Sequence, residues 1–129
     1  MSMSESTTRG VRVNVNSTYI PERSSKTKSQ FFFAYRVSIT NEGNTPVKLL
    51  SRHWVVTDAN EQIEEVSGPG VVGEQPLLRF GEAFTYTSAC VLKTPLGVMR
   101  GTYQMLTEDG GKFDAEIAPF TLAQKLALH

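Results

Sequence analysis

Phe31-Phe32-Phe33-Ala34-Tyr35-Arg36-Val37-Ser38-Ile39-Thr40 runs straight into Asn41-Glu42-Gly43-Asn44-Thr45-Pro46, and this stretch decides the fold. Phe31, Phe33, Tyr35, Val37 and Ile39 take every second position. A strand sends successive side chains to opposite faces, so a period of two marks one buried face. The β-branched and aromatic residues that fill the run suit a pleated, half-buried surface. Asn and Gly then supply left-handed positions, and Pro46 fixes the exit from a turn.

The same grammar extends in both directions. Val11, Val13 and Val15 alternate with Arg12, Asn14 and Asn16. On the other side, Val47 to Thr57 forms a strand that Asp58-Ala59-Asn60-Glu61 turns into a short partner, Gln62 to Val66. Further strands are expected at Ala83 to Lys93, Val98 to Thr107 and Lys112 to Ile117, with Phe120-Thr121-Leu122 as an edge beyond Pro119. Seven or eight short strands with regular turn signals predict an all-β sandwich of two antiparallel sheets, fibronectin type III or immunoglobulin-like. Trp54 belongs in its inter-sheet core, which places its neighbour His53 on the opposite face. Residues 1–8, MSMSESTT, lack apolar periodicity and are expected to be a disordered tail. The sandwich is expected over 9–124, with a second tail at 125–129.

Composition narrows the function classes. The 129 residues suit one domain, and 40% apolar content suffices for a core. Thirteen basic residues balance thirteen acidic ones, so the footprint of a general nucleic-acid binder is missing. Cys90 is the only cysteine and cannot form an internal disulfide; in its alternating strand it reads as a buried structural thiol. No leader opens the chain and no apolar run is long enough to span a bilayer, so a soluble cytoplasmic protein is expected.

Catalytic and metal chemistry find few residues. The two histidines are His53, on a strand, and His129, the last residue. No nucleophile elbow, CxxC, HxxxH or HExxH motif is present. Asp58, Asn60 and Gln62 begin like a calcium loop, but Ile63 stands at the sharp-turn glycine and Pro69 at the bidentate acid. No metal, no cofactor and no enzymatic activity are expected. Gly68-Pro69-Gly70-Val71-Val72-Gly73 does fit G-x-G-x-x-G. No helix follows it, so a dinucleotide fold is rejected. Two readings remain: a glycine-rich turn, or a nest of N–H groups that binds an anion with Arg52 or Arg79 beside it.

Long blocks of this sequence are similar to the bacterial ApaG family. They are Leu49-Leu50-Ser51-Arg52-His53-Trp54, Thr57-Asp58-Ala59-Asn60, Glu64-Glu65-Val66, Gly68 through Pro76, Tyr86-Thr87-Ser88, Thr94-Pro95-Leu96-Gly97 and Gly101-Thr102-Tyr103-Gln104-Met105. The resemblance implies a fibronectin-type sandwich with no settled biochemical activity. It also implies a genetic link to cobalt tolerance and magnesium efflux. Eukaryotic domains of this kind, joined to F-box proteins and to a DNA-polymerase-interacting protein, imply a protein-interaction module with an unidentified protein partner. As the alternative, the family's glycine motif, here Gly68, Gly70 and Gly73, with Arg52 adjoining, implies pyrophosphate or nucleotide binding. Exposed sheet edges leave a homodimer open as well.

Overall fold

The structure, a computed structural model, describes residues 2–124. The tail expected at 125–129 lies outside the described residues. Among the described residues nine strands form: β1 (Ser2–Thr8), β2 (Val11–Tyr19), β3 (Phe31–Asn41), β4 (Val47–Asp58), β5 (Ile63–Pro69), β6 (Leu77–Leu78), β7 (Ala83–Leu92), β8 (Leu96–Thr107) and β9 (Lys112–Ala123). One antiparallel sheet has the order β1-β2-β3-β7. The second has the order β5-β4-β8-β9, with β6 sharing the outer edge of β4. The expected two-sheet sandwich is therefore present.

The core lies between the sheets. Val11, Val13, Val15, Phe33, Val37 and Ile39 line it from the first sheet, as their alternation requires. Trp54 sits at its centre and packs edge-on to Tyr35, Tyr103 and Phe120, with ring centroids 5.3, 6.1 and 5.9 Å away. The hydroxyls of Tyr86 and Tyr103, contributed by opposite sheets, hydrogen-bond to each other. Burial pushes the Tyr86 hydroxyl up to about 12 and also raises Tyr103, so both stay protonated and the bond persists at neutral pH.

Two bulges reset the alternation. Leu49 pairs with Met105 and Ser51 with Gln104, so Leu50 is an extra residue in β4. Val47 and Leu49 face inward before it; Trp54 and Val56 face inward after it. In β9 the break falls at Ala118-Pro119, where a missing N–H is tolerated. The bulge lets β9 run on through Phe120 and Leu122 as one strand.

The tail expected at residues 1–8 is corrected by the structure. Ser2 to Thr8 pair with β2 in continuous register, from Ser2 opposite Ser17 to Thr8 opposite Val11. Arg9 (φ 47°) and Gly10 (φ 84°) form the two-residue turn, the left-handed pair that matches hairpin twist. The strand needs no apolar side chains because its hydroxyls bond to β9. Glu116 N–H donates to Thr8 Oγ1 at 3.1 Å and Thr121 N–H to Ser2 Oγ at 3.0 Å. Ser17 Oγ donates to the Thr121 carbonyl at 2.8 Å. This stitching closes one side of the sandwich. Removing Ser2–Thr8 exposes these β9 amides and should cost roughly 2 kcal/mol or more. Thermal unfolding followed by circular dichroism should show a clearly lower Tm, whereas loss of a true tail would leave it unchanged.

Candidate functional site

The glycine motif forms a hairpin on the outer edge of β4. Gly68 ends up inside β5, opposite Arg52. Gly70 takes φ +60°, and a Cβ there would stand 2.2 Å from the Glu74 carbonyl, so only glycine fits. Val71 and Glu74 exchange N–H to carbonyl bonds of 2.8 and 2.9 Å. Between them Val72 and Gly73, at φ 43° and 80°, make a two-residue turn of the type I′ kind. Val71 is fully buried and anchors the hairpin; Val72 projects into solvent.

Arg52 reaches this hairpin because of the bulge at Leu50. The shift turns Arg52 to the inward face, beside its cross-strand neighbour Tyr103. Its Nη1 donates to the carbonyls of Pro69 and Gly70, both at 3.0 Å. The guanidinium lies flat on Gly68, where an added Cβ would come within 3.2 Å of both Nη atoms. Burial raises the Tyr35 and Tyr86 hydroxyls, and the Arg52 charge opposes that rise. The bulged residue contributes too. Leu50's carbonyl accepts the Gly70 N–H and the Gln75 side-chain amide, each at 2.8 Å. Leu50 and Gln75 stand within the blocks that resemble the ApaG family, but the sequence assigns them no part in a site; the parity change between Leu49 and Trp54 is the signal for the bulge.

The structure thus brings Gly68, Gly70, Gly73 and Arg52 together. It also commits most of the loop's donors. The N–H groups of Gly70, Val71 and Glu74 all serve backbone carbonyls. Among the described residues, the Val72 and Gly73 amides have no backbone acceptor.

The other candidate residues separate. His53 faces outward, and its Nε2 lies 2.8 Å from Glu65 Oε1. Asp58 Oδ1 accepts the N–H groups of Asn60 and Gln62 at 2.8 and 3.0 Å, the turn chemistry expected of that segment. Cys90 is half-buried against the core; burial, aided by the Glu64 charge, pushes its thiol up to about 11. It stays protonated at neutral pH and is a poor nucleophile. Among the described residues, no three of His, Cys, Asp and Glu gather into a metal-holding group. Among the described residues, no helix is long and apolar enough to cross a membrane.

Opposite the stitched side the sandwich is open. β5 and β7 are outer strands of different sheets and do not pair. A cleft of about 420 Å³ runs between the start of β5 and the end of β7, lined among others by Asp58, Ile63, Glu64, Val91 and Lys93.

By its layering the chain is a β-sandwich of the fibronectin type III and immunoglobulin-like class, with an arginine-clamped glycine hairpin on its surface. Known proteins narrow this class. The ApaG domain profile matches residues 21–107. Over 127 residues the chain is 50% identical to Protein ApaG of Thiobacillus denitrificans, covering 98% of this chain and all of the relative (100%). Protein ApaG of Anaeromyxobacter dehalogenans is 56% identical over 120 residues, 93% of this chain and 94% of the relative. The crystal structure of the ApaA protein from Bordetella pertussis superposes with a TM-score of 0.86 at 51% identity, covering 88% of this chain and 92% of that one. The chain belongs to the ApaG domain family.

The clamp is directly testable. Arg52→Ala removes two charge-assisted bonds and should cost about 2 kcal/mol in urea unfolding. Gly68→Val lifts the guanidinium off its shelf and should cost a similar amount. Because both changes break one interaction, the double variant should lose clearly less than the sum of the two.

Proposed function

We propose that this chain is a non-catalytic binding domain that holds a partner protein, and that the open side between β5 and β7 is its working surface. The observation that carries this reading is the asymmetry of the sandwich. One side is stitched shut by hydroxyls, while the other leaves Ile63 and Val66 on β5 and Val91 on β7 exposed at 66%, 43% and 46%. Apolar residues gathered on a rim with charged neighbours are a common mark of a protein-interaction site. A cytoplasmic setting is part of this reading, and the family's link to cobalt tolerance and magnesium efflux then runs through the partner.

Position-dependent capture tests it. A photo-crosslinking residue at Val91 or Val66 should trap the same partner from a bacterial lysate. The same residue at Val98, exposed on β8, should trap none. Equal capture from all three positions, or from none, would sink the reading.

A second reading rests on a different observation. The uncommitted amides of Val72 and Gly73 lie in the hairpin that Arg52 clamps, and Arg52 has no carboxylate partner among the described residues. This is a place where pyrophosphate or a dinucleoside polyphosphate could seat. Calorimetry with pyrophosphate and diadenosine tetraphosphate decides it. The reading expects heat from the native chain that disappears in Arg52→Gln; no heat from the native chain removes it.

A further inference from the structure

Sheet edges expose unpaired N–H and C=O groups, and folded proteins blunt them with charges, prolines, bulges or covers. Three margins of this sandwich are managed in that way. β1 and β9 cover each other through the hydroxyl bonds described above. β5 carries Glu64, Glu65 and Pro69, and β6 is two residues long.

Among the described residues, β7 has none of these devices. Its ten residues, Ala83-Phe84-Thr85-Tyr86-Thr87-Ser88-Ala89-Cys90-Val91-Leu92, include no charge and no proline. It pairs with β3 on one side only, without a bulge, from Thr40 opposite Ala83 to Phe31 opposite Leu92. A regular, neutral edge of this length is a template for another strand.

The neighbouring edge restricts which strand fits. Glu64 and Val66 pair with Val56 and Trp54, so they share the inward face of their sheet and look across the cleft toward β7. Glu64 lines that cleft together with Val91 and Leu92 and has no cation within 4.0 Å among the described residues. Asp58 lines the cleft too, and Lys93 is the lone cation that does so among the described residues. A strand seated on β7 would send alternate side chains past Val66, Leu92 and the Glu64 carboxylate.

We propose that β7 accepts an extended segment of a partner protein as a fifth strand of the first sheet, and that this segment carries basic residues among small apolar ones on its cleft-facing side. The proposal rests on the partner-binding reading and adds the surface, the mode and the charge of what is bound. Backbone pairing supplies affinity, and the Glu64 side of the cleft selects the sign of the side chains. A second copy of this chain fits less well. Pairing two β7 strands about a two-fold axis would bring both acidic β5 margins together, Glu64 and Glu65 against their own kind.

The test uses the isotope-labelled chain and three blocked ten-residue peptides. The first has Thr on one face and alternating Val and Lys on the other. The second replaces Lys by Glu, and the third is the Lys peptide N-methylated at every second residue. The Lys peptide should slow amide exchange along β7 and show contacts to it by NMR. The Glu and N-methylated peptides should bind at least tenfold more weakly, and Glu64→Lys should reverse the preference between Lys and Glu. Equal binding of the N-methylated peptide, an unchanged preference in Glu64→Lys, or absence of any effect at β7 overturns the proposal. So does self-association of the free chain through β7. Binding that perturbs the glycine hairpin or an outer face instead overturns the β7 assignment but leaves the partner-binding reading standing.

Discussion

One inserted residue organises much of this molecule. Leu50 adds a position to β4 that β8 does not match, and the parity of every later side chain in the strand changes. Without that shift Trp54 and Val56 would face solvent and His53 would face the core. With it, Trp54 takes the centre of the aromatic cluster and Arg52 turns inward beside Tyr103. The same residue offers a carbonyl that accepts Gly70 and Gln75, so the glycine hairpin is fastened where the ladder is interrupted. Core register and hairpin position are therefore two results of a single local irregularity.

The hairpin itself shows how a motif can be present without the chemistry usually attached to it. Three glycines at nucleotide-fold spacing meet an arginine. However, two of the glycines answer steric demands: Gly70 for its backbone angle and the nearby Glu74 carbonyl, Gly68 for the guanidinium lying on it. In a phosphate loop the backbone donors converge on the ligand. Here three of them are spent on carbonyls, and so is one terminal nitrogen of the arginine. The geometry resembles a clasp more than a cradle.

The sandwich was legible where burial imposes a strict period, as in Val11-Val13-Val15 and Phe31 through Ile39. It was not legible where the pattern depends on tertiary partners. Ser2-Met3-Ser4-Glu5-Ser6-Thr7-Thr8 becomes a strand because β2 and β9 supply acceptors and donors, which no local propensity records. Leu77–Leu78 is too short to carry a period, and Pro119 divides a strand in the sequence that a bulge joins in space. Of the site, the residue types were visible but not their commitments. Whether an amide is free or spent depends on the position of a carbonyl some twenty residues away in the chain, such as Leu50 O beneath Gly70 N–H.

The serine and threonine stitching along β1 and β9 reaches beyond the margin it closes. Two sheets joined along one border behave mechanically like the covers of a book bound at its spine. The gap at the far border is then set by what is packed between the covers, chiefly the ring of Trp54 and the tyrosines around it. Width at the fore-edge, where β5 and β7 look at each other, is thus governed from the opposite border and from the pages in between.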